Sequence, residues 1–307
     1  MSDAHTCETV QLECADSTML IGTLFRPATP PHTALLLTSG TGIPRGFYRR
    51  FSAFAAESGF LVLTFDYRGV GDSAPARLKG CGIVYRDWGQ QDVPAASAWL
   101  REQAPELPLG VVGHSTGGQQ LALSPAVDDV DAALFVAVST GYWAGMPTRM
   151  KWFTLLLWKL LVPVSGALFG YFPARIAGLG EDLPIGVAKE WGAWCLEPTY
   201  LGAFLDGSGH RRSPDGRPFG PAHFQDATFP LRALYFTDDP IATRANAPVL
   251  LDLYERAVIE SQWIVPTEAG VSEIGHLGFF RSSCAALWSE HLTWLRAQAH
   301  DSDVPSP

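Results

Sequence analysis

A serine set between closely spaced glycines follows an apolar run at residues 109–112. Residues 113–117 read Gly-His-Ser-Thr-Gly, which fits the pattern Gly-x-Ser-x-Gly. This pattern is typical of a sharp turn between a strand and a helix, where glycines on either side of Ser115 leave room for neighbouring backbone. Such a turn exposes the serine hydroxyl as a nucleophile. The alternative is that Ser115 only caps the following helix.

A serine hydroxyl needs a base, and the base needs a carboxylate that orients it. His276 is the predicted base because it lies late in the chain, on a glycine-flanked loop between a predicted strand and the last predicted helix. The other seven histidines lack that setting. Asp238 and Asp239 follow another predicted strand and are the candidate acids. We favour Asp239 because Pro-Ile-Ala follows it, with Asp238 as the alternative, and expect the other aspartate to shape the turn.

Two backbone amides are candidates for an oxyanion hole. The Thr116 amide begins the helix after Ser115, where it would point toward a developing negative charge. The Thr41 amide lies in the loop Ser-Gly-Thr-Gly at residues 39–42, whose glycines would let the backbone approach a substrate. An ordinary glycine-rich turn is the alternative interpretation of that loop.

The sequence gives less support for a dinucleotide, a metal or another cofactor. Residues 69–74 fit the dinucleotide-binding pattern Gly-x-Gly-x-x-Ala, but Asp72 would face the pyrophosphate, and Pro75 follows where a helix should begin. We therefore expect residues 66–73 to brace the loop beneath the nucleophile turn. The chain has no His-Glu-x-x-His motif and no Cys-x-x-Cys pair, so we predict no metal and no other cofactor.

Short apolar runs alternate with amphipathic segments, which predicts an α/β fold with a mostly parallel sheet covered by helices on both faces. Two N-terminal segments, 9–14 and 19–25, predict an antiparallel hairpin at the sheet edge. The other predicted strands are 33–38, 60–65, 109–112, 132–139, 231–237 and 263–266. The predicted helices are 47–58, 84–103, 116–123, 244–259 and 285–297.

Residues 142–228 lack this alternation and hold five of the ten tryptophans. We expect this segment, called the insertion below, to form a largely helical cap over the site, because long loops inside a compact domain usually serve as lids or binding elements. Residues 1–141 and 229–299 would then form the core, and residues 300–307 a disordered tail. Candidate substrate contacts in the insertion are Trp143, Trp152, Leu156 and Trp191.

The insertion contains a membrane-like stretch at residues 152–172. Lys159 lies inside it, and Pro163, Gly166 and Gly170 are expected to interrupt a helix, so the sequence argues against a transmembrane segment. Its leucines indicate either an apolar or acyl substrate moiety, or only the packing of the insertion onto the core.

Composition narrows the classes of function. With 47% hydrophobic and 17% charged residues, the chain of 307 residues is predicted to be ordered. Its formal net charge is −9 and it has no run rich in Lys and Arg, which argues against nucleic acid as a partner. The five cysteines are scattered and the N-terminus has no signal-peptide pattern, so we expect reduced thiols and a cytoplasmic location.

Together these motifs resemble the α/β-hydrolase superfamily. The order serine, aspartate, histidine runs through residues 113–117, Asp-Pro at 239–240 and Gly-His at 275–276. Asp-Tyr-Arg-Gly-Val-Gly-Asp-Ser at 66–73 and Ile-Gly-His-Leu-Gly-Phe-Phe-Arg at 274–281 are similar to bacterial predicted hydrolases related to serine-aminopeptidase-like and monoglyceride-lipase-like members. One departure is Ser39, which stands where many relatives carry the histidine of a His-Gly pair. The resemblance implies that Ser115 is the nucleophile and His276 the base. It also implies that Asp239 or Asp238 is the acid and that the amides of Thr41 and Thr116 form the oxyanion hole.

The sequence favours a serine hydrolase that cleaves a small-molecule carboxylic ester through an acyl-enzyme on Ser115, with amides and thioesters less favoured. An acyltransferase with the same three residues is the alternative, because an alcohol or amine can replace water as the acceptor. A non-catalytic binding protein is less favoured because serine, aspartate and histidine are all present. Attachment of residues 152–172 to a membrane surface is a further hypothesis.

Overall fold

The computed structural model describes residues 4–176, 178–205 and 213–301. Its strands are β1 (His5–Glu13), β2 (Met19–Pro27), β3 (Thr33–Thr38), β4 (Phe60–Phe65), β5 (Leu109–His114), β6 (Ala132–Val136), β7 (Tyr171–Phe172), β8 (Leu183–Pro184), β9 (Pro230–Phe236) and β10 (Val258–Ile264). Across the described residues, eight of these strands form one sheet in the order β1-β2-β4-β3-β5-β6-β9-β10. β2 pairs antiparallel with both β1 and β4, which confirms the N-terminal hairpin, and the remaining neighbours are parallel.

Helices cover this sheet, which confirms the predicted α/β fold. They are α1 (Arg49–Glu57), α2 (Val93–Gln103), α3 (Thr116–Leu121), α4 (Thr148–Leu156), α5 (Val162–Leu168), α6 (Ile185–Cys195), α7 (Gly202–Leu205), α8 (Ala247–Leu251) and α9 (Ala285–Asp301). α1, α2, α3 and α9 pack against the sheet. The central strands β3 to β6 are buried at every position, as expected for strands covered on both faces.

The predicted helix at residues 244–259 is wrong for most of its length. α8 covers only Ala247–Leu251, and the chain from Val258 onward forms β10. Every position of β10 is exposed or half-exposed, because this strand lies at the edge of the sheet beside β9. A continuous apolar run is typical of a strand buried on both faces, and β10 is not such a strand. The apolar run therefore predicts a strand at residues 263–266, whereas β10 covers Val258–Ile264.

Other boundaries differ from the predictions as well. The helix predicted at residues 84–103 begins as α2 only at Val93, after a π-helical turn at Trp88–Asp92. β6 ends at Val136, before the predicted end at residue 139, because Ala137 has a φ of 54° that turns the chain. At the C-terminus, α9 continues to Asp301, so the predicted tail is wrong at residues 300 and 301. His300 packs near His32 at 6.3 Å between ring centroids, which holds the last turn on the core. Residues 302–307 lie outside the described residues.

The insertion holds α4 to α7 and a short antiparallel pair, β7 with β8, where no strand was expected. α4, a π-helical turn at Leu157–Leu161 and α5 run together as a helix of 21 residues, Thr148–Leu168, which by length and composition alone could cross a membrane. The predicted interruption at Pro163 and Gly166 is therefore wrong. The wider π turn just before Pro163 accommodates the proline ring. Gly170, with a φ of 78°, follows the helix end.

The parallel strands place the candidate site. β3, β5, β9 and β10 run in the same direction, so the loops after them converge at one edge of the sheet. In chain order, those loops carry Thr41, Ser115, Asp239 and His276.

Candidate active site

The turn between β5 and α3 holds Ser115 in a strained backbone conformation. Its φ of 51° and ψ of −112° lie where residues other than glycine are rarely found. A Cβ on Gly117 would lie 2.2 Å from the Thr38 carbonyl oxygen, and one on Gly113 would lie 2.9 Å from the Gly118 nitrogen. The prediction that both glycines leave room for neighbouring backbone is confirmed.

Three side chains form a continuous hydrogen-bond chain at this turn. His276 Nε2 lies 2.9 Å from Ser115 Oγ, and His276 Nδ1 lies 2.7 Å from Asp239 Oδ2. An ionised carboxylate only accepts hydrogen bonds, so Nδ1 carries the proton and Nε2 accepts from the serine hydroxyl. This arrangement can take the proton from Ser115 as its oxygen attacks an electrophile.

The two candidate acids have different partners. Asp239 is buried, and its second oxygen accepts hydrogen bonds from two backbone amides of the following turn at 2.7 and 3.1 Å. Burial alone would raise the pKa of Asp239, but the His276 ring and these amides outweigh burial and hold the pKa below its usual range. Asp238 accepts a hydrogen bond from the Ile274 amide at 2.9 Å, so it braces the histidine loop instead.

The hydroxyls of Thr41 and Thr116 meet at Tyr85, whose Oη lies 2.6 Å from Thr41 Oγ1 and 2.5 Å from Thr116 Oγ1. The Gln119 amide nitrogen donates to the Ser139 carbonyl, so Gln119 Oε1 is free to accept from Thr116 at 3.2 Å. Tyr85 must then donate to Thr116, and Thr41 to Tyr85. The three hydroxyl protons therefore each have one acceptor, and the Tyr85 hydroxyl joins the two threonines by hydrogen bonds.

The backbone amides of these two threonines remain available to a ligand. Within residues 4–176, 178–205 and 213–301, neither the Thr41 nor the Thr116 N–H has a hydrogen-bond acceptor. Thr116 is the first residue of α3, where amides have no partner within the helix. Both amides are therefore free to donate to an oxygen that carries negative charge.

An apolar cavity of about 280 Å³ reaches Ser115 and His276. Its volume lies near the lower end of the range for small-molecule sites, roughly 300–1,000 Å³. The core and the insertion both line it, the core with Thr41, Tyr85, Gln119 and Ile241, and the insertion with Met146, Met150, Phe153, Thr154, Leu157, Trp158, Phe172, Leu183 and Trp191.

Comparisons with known proteins agree with this architecture. A family model described as serine aminopeptidase, S33 matches residues 29–169. That match includes Ser115 and both threonines beside it in the site. The chain has the α/β-hydrolase fold. No curated protein sequence matches the chain.

Solved structures share the α/β-hydrolase fold over nearly the whole chain. An esterase from Pyrococcus furiosus is 16% identical with a TM-score of 0.56, over 95% of this chain and 91% of that chain. A carboxyl esterase from Bacillus coagulans is 10% identical with a TM-score of 0.61, over 96% of this chain and 99% of that chain. An α/β hydrolase from Penicillium sp. sh18 is 18% identical with a TM-score of 0.58, over 96% and 99%.

The four predicted substrate contacts of the insertion are placed differently in the structure. Trp191 lines the cavity, whereas Trp143, Trp152 and Leu156 lie outside its lining. On the helix Thr148–Leu168, Thr154, Leu157 and Trp158 are buried and face inward. Trp152 and Leu156 are four residues apart and share the opposite, exposed face. Apolar character alone does not tell which side of a helix meets the substrate.

A second hydrogen-bond chain joins the loop after β3 to the histidine loop. The Gly40 amide donates to Tyr48 Oη at 2.8 Å, Tyr48 donates to His114 Nδ1 at 2.7 Å, and His114 Nε2 donates to the His276 carbonyl oxygen at 2.9 Å. Only the neutral ring with its proton on Nε2 fits these partners. Burial, with the nearby His276, lowers the pKa of His114 to about 3.

The segment 66–73 braces the loop after β3. Asp66 is buried, accepts a hydrogen bond from the Arg45 amide at 2.6 Å and pairs with the Arg45 side chain. Gly71 has a φ of 53°, and a Cβ there would lie 2.5 Å from Asp66 Oδ2. The predicted brace therefore exists, but it supports residues 39–45.

Proposed function

We propose that this α/β hydrolase cleaves carboxylic esters through an acyl-enzyme on Ser115. The observation that carries the proposal is the hydrogen-bond chain of Ser115, His276 and Asp239 at the floor of an apolar cavity. Ser115 Oγ attacks the ester carbonyl carbon while His276 Nε2 takes the hydroxyl proton. The amides of Thr41 and Thr116 donate hydrogen bonds to the negative charge that develops on the carbonyl oxygen.

The acyl-enzyme then forms and is hydrolysed. His276 gives its proton to the alkoxy oxygen, the ester C–O bond breaks, and the alcohol leaves. Water next gives a proton to His276 and attacks the acyl carbon. The carboxylic acid leaves, and Ser115 regains its proton from His276. Asp239 stays ionised throughout and stabilises the charged imidazolium.

The lining of the cavity supports an uncharged acyl group as the substrate moiety. None of the described lining residues is Asp, Glu, Lys or Arg. A substrate with a free α-amino group, as an aminopeptidase requires, would lose its hydration there without gaining a counter-ion. The apolar walls instead favour an alkyl or aryl chain. Two of the compared structures are described as esterases, which agrees with this choice.

The test is the hydrolysis of p-nitrophenyl esters with acyl chains of increasing length, beside an aminoacyl p-nitroanilide. We expect ester turnover with an optimum chain length, little turnover of the anilide, and a loss of at least about 1,000-fold in Ser115→Ala. A folded chain that hydrolyses the anilide and none of the esters would contradict the proposal.

A further inference from the structure

The outer face of the helix Thr148–Leu168 carries a row of exposed apolar side chains. The row consists of Trp152 (65% exposed), Leu156 (47%), Leu160 (50%), Val164 (44%) and Leu168 (68%). Single exposed apolar residues are normal, but contiguous apolar surface of this kind marks a site of interaction.

The π turn at Leu157–Leu161 keeps this row on one side of the helix. In a regular α-helix of about 3.6 residues per turn, side chains four residues apart rotate by about 40°, so Trp152 and Leu168 would point about 160° apart. The π turn contains one extra residue per turn, which reduces this rotation by about 100°. The side chains of Trp152 and Leu168 then point about 60° apart. The row therefore forms a face that one flat partner can cover.

Basic residues accompany this face on an otherwise acidic protein. Between residues 132 and 180 the sequence has no Asp or Glu, whereas the whole chain has a formal net charge of −9. Arg149 and Lys159 are exposed, and Lys151 is half-exposed. Arg175, the fourth basic residue of this stretch, pairs with Glu181. The apolar face is thus edged by positive charge.

We propose that this face docks on an anionic lipid bilayer, with the helix lying in the plane of the membrane surface. An apolar face combined with Lys and Arg is the pattern of helices that rest at the interface, where tryptophan is also favoured. The helix does not span the bilayer, because its inner residues Thr154 and Leu157 line the cavity and Lys159 lies near its middle.

A second copy of the chain fits this face less well. A two-fold dimer brings the same patch of both copies together. Arg149, Lys151 and Lys159 would then lie against their own counterparts, and residues 132–180 offer no carboxylate to pair with them. Lipid phosphates supply the missing negative charge, and acyl chains supply the apolar partner.

The docking face adjoins the mouth of the cavity. Phe153 and Leu179 both line the cavity and are exposed at the surface, so they mark its opening. Phe153 lies on the same helix as the docking face. A docked molecule would therefore have its cavity open toward the lipid, and its substrates would be amphiphilic esters drawn from the bilayer, a consequence that rests on the proposed function.

Vesicle binding by Ser115→Ala tests the surface without relying on activity. The protein is sedimented with vesicles of phosphatidylcholine and phosphatidylglycerol in equal parts, and with phosphatidylcholine alone. We expect binding to the mixed vesicles that weakens with added salt. Adding Leu156→Gln and Leu160→Gln should lower the partition coefficient at least about tenfold. Adding Lys151→Gln and Lys159→Gln should weaken binding and flatten its salt dependence.

Val258→Gln with Ile259→Gln is the matched control, because both residues are exposed on β10, which pairs with β9 and is not part of the docking face. This pair should leave vesicle binding unchanged, and circular dichroism should show every variant folded. The proposal would be overturned if the folded protein does not bind the mixed vesicles. It would also be overturned if the variant with Leu156 and Leu160 replaced binds them equally well. A dimer in solution that the leucine replacements dissociate would also overturn it, because the face would then belong to a second copy. Loss of ester turnover alone would leave it standing.

Discussion

At the scale of single residues, Tyr85 links the two halves of the predicted oxyanion hole. Its ring packs against Trp88 and Trp194, with centroids at 5.0 and 4.8 Å. Tyr85→Phe should keep this packing and remove only the hydroxyl shared by Thr41 and Thr116. We expect kcat to fall about 10- to 100-fold with KM little changed, because the two amides lose their relative placement.

Tyr235→Phe is the matched control for this comparison. Tyr235 is also buried, and its hydroxyl donates to the Val138 carbonyl at 2.9 Å outside the cavity lining. Steady-state ester kinetics and unfolding by denaturant would be measured for both variants. Equal losses of kcat in the two variants would show that Tyr85 contributes only to general packing.

The two adjacent aspartates should respond differently to the same substitution. In Asp239→Asn, the side-chain amide can turn its NH₂ toward His276 Nδ1 and favour the tautomer that cannot accept the Ser115 proton. We expect kcat to fall by about 1,000-fold or more. Asp238→Asn keeps an oxygen for the Ile274 amide and should stay within about tenfold of the wild type. Ester kinetics that reverse this order would contradict the assignment.

The sequence predicts the residues of this site only where local spacing reveals them. Ser115 lies between closely spaced glycines, Asp239 lies in the turn after β9, and His276 lies on a glycine-flanked loop. Each of these features is a short motif, so the sequence predicts all three residues. Tyr48 and Tyr85 could not, because each joins loops far apart in the chain through hydrogen bonds that no spacing predicts. The only signal for His114 is its place beside the nucleophile.

At the scale of elements, a buried ion pair connects the core to the insertion. Arg86 lies before α2 and Glu190 lies on α6, and both side chains are almost fully buried. Arg86→Ala would leave the Glu190 carboxylate buried without this cation, which should lower the free energy of unfolding by about 3–5 kcal/mol. Arg175→Ala removes an exposed pair with Glu181 and should lower the free energy of unfolding far less.

Urea unfolding of these two variants at neutral pH measures the difference. A similar small loss in both would mean that the insertion is held on the core by its apolar packing alone.

The strands whose predicted bounds match the structure are buried on both faces. β3 and β4 match their predicted bounds because a continuous apolar run has only one arrangement in the middle of a parallel sheet. The sequence does not predict the limits of β10, which depend on its place at the edge of the sheet, or of the helix Thr148–Leu168, which depend on a local change of helix type. An edge strand needs no apolar run, and Pro163 ends a helix only where no π turn precedes it.

At the scale of the whole molecule, buried His114 makes stability depend on pH. Burial lowers its pKa from the usual 6.5 to about 3, so below pH 6.5 the unfolded chain binds a proton that the folded chain does not. Above pH 6.5 this proton uptake does not lower the free energy of unfolding. Below pH 6.5 it lowers the free energy of unfolding by up to about 1.4 kcal/mol per pH unit.

His114→Gln tests this dependence. Glutamine can accept from Tyr48 and donate to the His276 carbonyl, so the fold should persist. His291, also buried with a pKa lowered to about 4, is common to both proteins, so the difference between them isolates His114. Between about pH 7 and pH 5, the unfolding free energy should fall less steeply in the variant. Parallel curves would contradict the neutral, buried state of His114.

If Ser115 is an activated nucleophile, the purified chain should react with a fluorophosphonate at this residue. Peptide mapping by mass spectrometry would locate the phosphonyl group. We predict a single adduct on Ser115, slowed strongly in His276→Ala and absent in Ser115→Ala. A folded wild-type chain that stays unlabelled, or that carries the label on another residue, would show that Ser115 is not the activated nucleophile.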